Sequence, residues 1–314
     1  MKKTFYIFLI YTLPLFICMI FFFKSKTDHA DQGVEYSKNK YSHLICYSFS
    51  TELCKNPIKH DKKNIVLLGN SQLTAINSLN IDDLSVCARL IKQYEYNPNV
   101  NFTCYSLPNL NPEEIKYIYK NYLYSNEEDL SLIIPLFYDD FARERGIRGS
   151  ILLNNLSTFE TNKKNQTKNN YFNEIIKKNK EIIQANLIYL RNFLFNVDEF
   201  TIRKKIPHVY KNNLNFFYET IYLTLQKRNT QTLIYFAPMR DDYQLPFDIS
   251  DYDDFKNEIF SFVKNKNIQL ENFEKIIKSN FFGLDLNNRV DFIHFKNEGH
   301  KILTNNILNL SDDF

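Results

Sequence analysis

The strongest structural signal in the chain lies at residues 64–71, which read Asn-Ile-Val-Leu-Leu-Gly-Asn-Ser. Four consecutive apolar residues, Ile65 to Leu68, run into a glycine. An uninterrupted apolar run of this length is typical of a strand that is buried on both faces of a parallel sheet. Because Gly69 permits a sharp turn, the stretch predicts a strand that places Ser71 at the carboxyl edge of such a sheet.

Further short apolar runs follow along the chain. They predict strands at residues 101–105, 130–136 and 232–237, with a weaker strand around 268–273. Helical patterns lie between them, at residues 111–124, 212–226 and 253–264. Strands that alternate with helices predict an α/β fold with a parallel sheet.

A long segment separates the third and fourth predicted strands, and we interpret residues 150–228 as a helical insertion. It contains a polar tract rich in Asn and Lys at residues 161–170, and apolar residues at helical spacing at 172–195 and 212–226. Core packing is the ordinary role of such apolar stripes. A lid or a substrate groove is the alternative.

The amino end carries nineteen uncharged residues, 5–23, with lysines on both sides. This length suits a membrane-spanning helix better than a cleaved signal peptide, and a buried core helix is the alternative. We therefore predict a signal anchor at 1–26, a stalk or packed-on arm at 27–61, and the body of the protein at 62–314. A short amino tail that stays cytoplasmic places the body outside.

Four cysteines lie outside the predicted anchor: Cys46, Cys54, Cys87 and Cys104. An even number permits two disulfides in an oxidising compartment, whereas four unrelated buried thiols are the alternative. The pairs nearest in sequence are 46 with 54 and 87 with 104, although spacing does not fix connectivity. The spacing is not that of a zinc site.

Charge excludes one class of partner. Lys and Arg number 39, Asp and Glu number 36, and the net charge is +3. Because proteins that bind nucleic acid usually show a clustered basic excess, no nucleic-acid partner is predicted.

Two short motifs carry residues suited to chemistry. Ser71 is a candidate nucleophile if a base lies beside it, and a helix-capping serine if none does. Near the carboxyl end, Asp291 precedes His294 by three residues, a spacing that lets the carboxylate hold one imidazole nitrogen while the other accepts a serine proton. His300 is expected to have a structural role.

Together these motifs resemble the SGNH/GDSL hydrolase superfamily over residues 62–308. The family's first block, G-[DN]-S, is similar to Gly69-Asn70-Ser71, and its last block, D-x-x-H, is similar to Asp291 and His294. Residues 138–148, 237–241 and 291–295 also look like segments of membrane-anchored bacterial members. The resemblance implies a flavodoxin-like three-layer α/β/α sandwich with a parallel sheet, a Ser nucleophile, a His base and an Asp orienter, with no metal or organic cofactor.

The sequence departs from the family at two places. The second block normally supplies a glycine whose N–H stabilises the oxyanion, and Asn109 stands there instead. The third block, G-x-N-D, is represented by residues 135–139, which contain neither that Gly nor that Asn. Either another donor such as Arg143 or Arg240 compensates, or the chain is a specialised or weakened member. Arg240 is also a candidate for binding an anionic substrate group, with a salt bridge to Asp241 or Asp242 as the alternative.

The resemblance and the anchor imply a membrane-anchored serine esterase or O-acyltransferase that acts on acyl esters of a cell-envelope glycan or lipid-linked polymer. The expected partners are the membrane and that acylated substrate. The alternative is a catalytically degenerate SGNH-like scaffold, or a binding subunit of an envelope assembly with a protein partner.

Overall fold

The computed structural model of the chain describes residues 34–311, apart from 37–38, 48, 50, 81, 125–128, 143–146, 148–209, 228–229, 244 and 285–289. The predicted anchor at 5–23, the polar tract at 161–170, the helical pattern at 172–195 and Arg143 lie outside the described residues. Within the described part, no helix has both the length and the apolar character needed to cross a bilayer.

The strands are, in chain order, β1 (Val34–Tyr36), β2 (Ile45–Cys46), β3 (Lys63–Gly69), β4 (Ala75–Asn77), β5 (Val100–Ser106), β6 (Leu130–Leu136), β7 (Thr230–Phe236), β8 (Gln269–Asn272), β9 (Phe282–Leu284) and β10 (Val290–Phe295). The helices are α1 (Glu52–Lys55), α2 (Val86–Tyr94), α3 (Pro112–Ile118), α4 (Tyr138–Phe141), α5 (Lys211–Leu225), α6 (Ile249–Val263) and α7 (Asn297–Ser311). A π-helical turn, Tyr119–Leu123, extends α3.

One parallel sheet of six strands forms the centre, in the spatial order β2-β5-β3-β6-β7-β8. The five strands predicted from sequence are confirmed as β3, β5, β6, β7 and β8. Numbered along the chain, these five lie in the order 2-1-3-4-5, which is the order of flavodoxin-like folds. The helices predicted at 111–124, 212–226 and 253–264 are confirmed as α3 with its π turn, α5 and α6.

Both faces of the sheet are covered. Alternate residues of β3 enter two different cores: Val66 and Leu68 pack with α3, α5 and α6, whereas Ile65 and Leu67 pack with α2 and α7. All four side chains are at most 2% exposed. The architecture is therefore a mostly parallel sheet between two helical layers, and burial on both faces explains why β3 reads as a continuous apolar run.

The segment before the body contributes to the fold. β1 pairs with β4, and β2 extends the main sheet by pairing with β5. Both of the sequence-nearest disulfides are present: Cys46–Cys54 joins β2 to α1, and Cys87–Cys104 joins α2 to β5. Cys46, Phe49 and Cys54 of this segment are buried in the core on one face of the main sheet.

The sheet opens between β3 and β6, where the chain order reverses. β3 pairs with β5 as far as Gly69, but with β6 only as far as Leu67. A Cβ atom on Gly69 would lie 2.6 Å from Cγ of Pro135 and 2.7 Å from Cδ1 of Leu73, so the close approach here requires a glycine. In open α/β sheets such a switch point, at the carboxyl ends of the strands, is where ligands bind.

Candidate active site

Ser71 lies at this switch point, at the start of the 3-10 turn Ser71–Leu73 that follows β3. Asn70 caps the turn, because its side-chain oxygen accepts the N–H of Gln72 at 2.9 Å. The capping role that sequence reasoning held open for Ser71 is thus taken by its neighbour. The Ser71 hydroxyl is left to interact with another part of the chain.

That part is the carboxyl-terminal strand. Ser71 Oγ lies 2.9 Å from Nε2 of His294, across 223 residues of sequence. The other ring nitrogen, Nδ1, lies 2.8 Å from Oδ2 of Asp291. The structure therefore brings the three predicted residues into one hydrogen-bonded series, in the arrangement that lets a histidine take a proton from a serine.

Asp291 is fully buried at 0% exposure. Burial favours its neutral form, but the electrostatic interaction with His294 and hydrogen bonds from His294 and Ile293 outweigh that effect, so the pKa of Asp291 is lowered. Its Oδ1 accepts the backbone N–H groups of Ile293 and His294 at 2.9 and 3.0 Å. Because an ionised carboxylate only accepts hydrogen bonds, Nδ1 of His294 donates to it and Nε2 is free to accept from Ser71.

A strand, rather than a loop, carries this motif. Asp291 and His294 lie on β10, which pairs with β9 in a two-stranded antiparallel sheet. The pairing is irregular between Val290 and Phe295. The Asp291 carboxylate accepts hydrogen bonds from two backbone N–H groups of this irregular stretch. The side chains of Asp291 and His294 therefore lie next to each other although both residues belong to a strand.

Gln72 is a site residue that sequence reasoning missed. Its side chain is 0% exposed, and its Nε2 donates to the carbonyl oxygens of Pro238, at 2.9 Å, and Ile293, at 2.7 Å. It therefore joins the Ser71 turn to the end of β7 and to the peptide that precedes His294. Its position directly after Ser71 was the only signal in the sequence.

The backbone N–H groups of Ser71 and Asn109 are candidate oxyanion donors. Asn109 is exposed, follows β5 beside the Ser71 turn and has a φ of 53°. Asn adopts this left-handed conformation more readily than most residues other than glycine, which explains how an Asn occupies this position.

Arg240 follows β7 and is engaged by neighbours. Its Nη2 donates to Asp242 at 3.0 Å, its Nε donates to the same carboxylate, and its Nη1 donates to the Gly283 carbonyl at 3.2 Å. The hydrogen bond from Arg240 lowers the pKa of Asp242. The alternative interpretation of Arg240, a salt bridge to a neighbouring aspartate, is therefore observed with Asp242. Arg143 lies outside the described residues.

His300 has the structural role predicted for it. It is 0% exposed; Nδ1 accepts the N–H of Val86 at 3.3 Å, and Nε2 donates to the Ala75 carbonyl at 3.2 Å. Burial lowers the pKa of His300 to about 3, so the ring is neutral. Across the described residues, no cluster of three or more His, Cys, Asp or Glu side chains is arranged to hold a metal ion.

Comparison with known proteins finds a distant likeness among solved structures. No protein-family model and no curated protein match the chain. Among solved structures, it is similar to a family two carbohydrate esterase from Clostridium thermocellum, solved in complex with cellohexaose. The TM-score is 0.36 at 10% sequence identity, and the match covers 81% of this chain and 66% of that one, just under two thirds of the esterase. Functional conclusions therefore rest on the geometry of Ser71, His294 and Asp291.

Proposed function

We propose that the chain is an SGNH-type serine esterase or O-acyltransferase, anchored in a membrane and acting on acyl esters of a cell-envelope glycan or lipid-linked polymer. The observation that carries the proposal is the hydrogen-bonded series from Ser71 through His294 to the buried Asp291. A serine hydroxyl is a weak nucleophile at neutral pH and becomes reactive when an adjacent base removes its proton.

The reaction follows from these contacts. As Ser71 Oγ bonds to the carbonyl carbon of the ester, Nε2 of His294 takes its proton, and Asp291 stabilises the imidazolium. The tetrahedral intermediate collapses by breaking the bond to the alcohol oxygen, which receives the proton from Nε2. Water, or a sugar hydroxyl in a transferase, then gives its proton to Nε2 and attacks the acyl carbon. The bond to Ser71 Oγ breaks, and Oγ receives the proton back from Nε2 as the acid or the new ester is released.

The developing oxyanion is stabilised by the N–H groups of Ser71 and Asn109. A side-chain donor equivalent to the family's Asn is missing from residues 135–139, and loss of one such donor costs roughly 10²–10³ in rate. Arg143 is the candidate to replace it. Arg240 is assigned to the substrate: its side chain is 13% exposed, so an anionic substrate group could compete with Asp242 for the guanidinium.

Two features support a location of the body outside the cytoplasm. The disulfides Cys46–Cys54 and Cys87–Cys104 are of the kind that persist in oxidising environments outside the cytoplasm. The uncharged run at 5–23 precedes them and is of the right length for an anchor. A membrane-anchored, outward-facing enzyme meets substrates that are made at or delivered through that membrane.

A scaffold without activity is the competing function, and one observation favours it. The chain at the carboxyl end of β6 reads Pro-Leu-Phe-Tyr-Asp at 135–139, with no amide side chain to complete the oxyanion site. A scaffold would still retain the fold and a partner-binding surface. It would not form a covalent acyl-enzyme.

Covalent labelling separates the two. The full-length protein in detergent is treated with a fluorophosphonate probe, and the modified peptide is identified by mass spectrometry, with Ser71→Ala as the control. We expect labelling at Ser71 in the wild type and none in the variant. A folded wild-type protein that stays unlabelled would favour the scaffold.

A further inference from the structure

Asp140 contacts the Ser71 turn from the opposite side of the switch point. It lies in α4, directly after β6, and is 8% exposed. Its Oδ2 accepts a hydrogen bond of 2.7 Å from Nδ2 of Asn70, which is 5% exposed. The two strands that part at the switch point are therefore linked again, just beyond their ends, by one buried side-chain contact.

The Asn70 amide is used at both ends. Its Nδ2 donates to Asp140, while its Oδ1 accepts the N–H of Gln72 at 2.9 Å. The carboxylate thereby fixes which way the amide points, because a flipped amide would set Nδ2 against the Gln72 N–H and Oδ1 against Asp140. The turn that presents Ser71 has only three residues, so the direction of its cap bears directly on the nucleophile.

We propose that Asp140 and Asn70 form a positioning pair that sets the orientation of Ser71 toward His294. The inference rests on the proposed function, since it concerns the same nucleophile. Neither residue of the pair touches the reacting atoms; they act through the backbone of the Ser71 turn. Ser106 adds support from β5, because its Oγ donates to the Asn70 carbonyl at 2.8 Å.

The pair makes a specific claim about Asn70. The motif that Gly69-Asn70-Ser71 resembles, G-[DN]-S, has either Asp or Asn before the serine, so Asn70→Asp is the most conservative change by that pattern. In this chain it would set two carboxylates in hydrogen-bonding contact, and two such groups cannot both be ionised without strong repulsion. The family-typical residue is therefore the one that should disable this site.

The test is a swap. Asn70→Asp is expected to lower the rate of fluorophosphonate labelling at pH 8 by about 10²-fold, the cost of a small misplacement of the nucleophile. Asp140→Asn keeps a hydrogen bond to Asn70 and should lose less. The double variant carries the carboxylate at 70 and the amide at 140. It restores the hydrogen bond between the two positions with donor and acceptor exchanged, still accepts the N–H of Gln72 at position 70, and should return to within about tenfold of the wild type.

The pH dependence gives a second readout that loss of packing would not produce. In Asn70→Asp the paired carboxyls hold a shared proton more readily as pH falls, so its rate relative to the wild type should rise between pH 8 and pH 6. The swapped double variant should keep a constant ratio to the wild type over the same range.

Asn64→Asp is the matched control. Asn64 lies at the other end of β3, is 0% exposed, and accepts the N–H of Lys59 at 2.8 Å. The same substitution there should lower the melting temperature without changing the labelling rate of the folded fraction. It separates the cost of burying a carboxylate from an effect on Ser71.

Each outcome of these measurements supports or overturns the positioning pair or the proposed function. Asn70→Asp labelled at the wild-type rate, or a double variant no faster than Asn70→Asp, would overturn the positioning pair. Should Asn70→Asp fail to fold, a double variant that folds and is labelled supports the pair, and one that remains unfolded overturns it. A wild type that is never labelled refutes the proposed function instead, and the melting temperatures of the four proteins then measure the coupling between positions 70 and 140.

Discussion

Strand β10 and helix α7 each carry one histidine, and the two regions use it in opposite ways. His294 on β10 is 14% exposed, and its ring nitrogens meet Ser71 and Asp291. His300 on α7 is fully buried, and its ring nitrogens meet the backbone groups of Val86 and Ala75. One ring lies between a nucleophile and a carboxylate, while the other joins two elements of the fold.

The difference shows that the neighbours of a histidine determine its chemistry. A carboxylate beside His294 stabilises the ring when it takes up a proton, which a general base requires. Around His300 burial resists a proton, and its pKa falls to about 3. Four experiments test this contrast.

Replacement of His294 should affect catalysis, whereas replacement of His300 should affect stability. His294→Gln deletes the base that activates Ser71, and we expect about a 10⁶-fold loss of esterase kcat. His300→Gln should leave the rate per folded molecule unchanged and lower the stability. Activity is measured by ester hydrolysis and the folded fraction by circular dichroism. Comparable losses of activity in both variants would contradict the contrast.

Asp291→Asn should reduce kcat by about 10⁴-fold, less than loss of the base itself. The amide no longer stabilises the imidazolium, and it favours the ring tautomer that carries its proton on Nε2. Asp253→Asn, at an exposed position of α6, is the control and should have no effect. A loss smaller than about tenfold would mean that Asp291 holds the backbone only.

Gln72→Met should lower kcat by about 10²-fold with little change in KM. Methionine fills a similar volume but cannot donate to the carbonyls of Pro238 and Ile293, so β10 is held less firmly against the Ser71 turn. Gln269→Met on β8 serves as the control. A change confined to thermal stability would assign Gln72 to the fold alone.

The smallest expected effect is the pH dependence of stability that His300 imposes. Its pKa in the folded protein is about 3, below the ordinary value of 6.5, so between these values the unfolded chain binds a proton that the folded chain does not. The stabilising contribution of neutral His300 to the free energy of unfolding is fully present above pH 6.5. It declines by about 1.4 kcal/mol per pH unit as pH falls from 6.5 toward 3. Urea unfolding from pH 7.5 to pH 4.5 should show a shallower decline for His300→Gln than for the wild type; parallel curves would contradict the assignment.

Much of the fold could be predicted because its signals are local. The apolar run from Ile65 to Leu68 reports burial on both faces, and every strand of the predicted set recurs in the sheet. The short strands β1, β2, β4, β9 and β10 were not predicted. At two to six residues they carry little periodic signal. The partners of β1 and β2, which are β4 and β5, also lie far away in sequence.

Some residues of the candidate site could likewise be predicted from the sequence, and others could not. Residue type and spacing singled out Ser71, Asp291 and His294, because the chemistry of a nucleophile, an orienter and a base requires those side chains in any fold. Gln72 and Asp140 could not be found that way. An amide and a carboxylate are common on any surface, and only their buried contacts give them a role.

By itself, the sequence determined the alternation of strands and helices, the glycine turn after β3, and the identity of the residues suited to acyl transfer. Tertiary structure alone decided that Ser71 and His294 meet across 223 residues, that Asn70 caps the turn in place of Ser71, and that Arg240 is paired with Asp242. The physical reason is that local propensity depends on neighbours in the chain. Hydrogen-bond partners, burial and pKa depend on neighbours in space, which the order of strands in the sheet brings together.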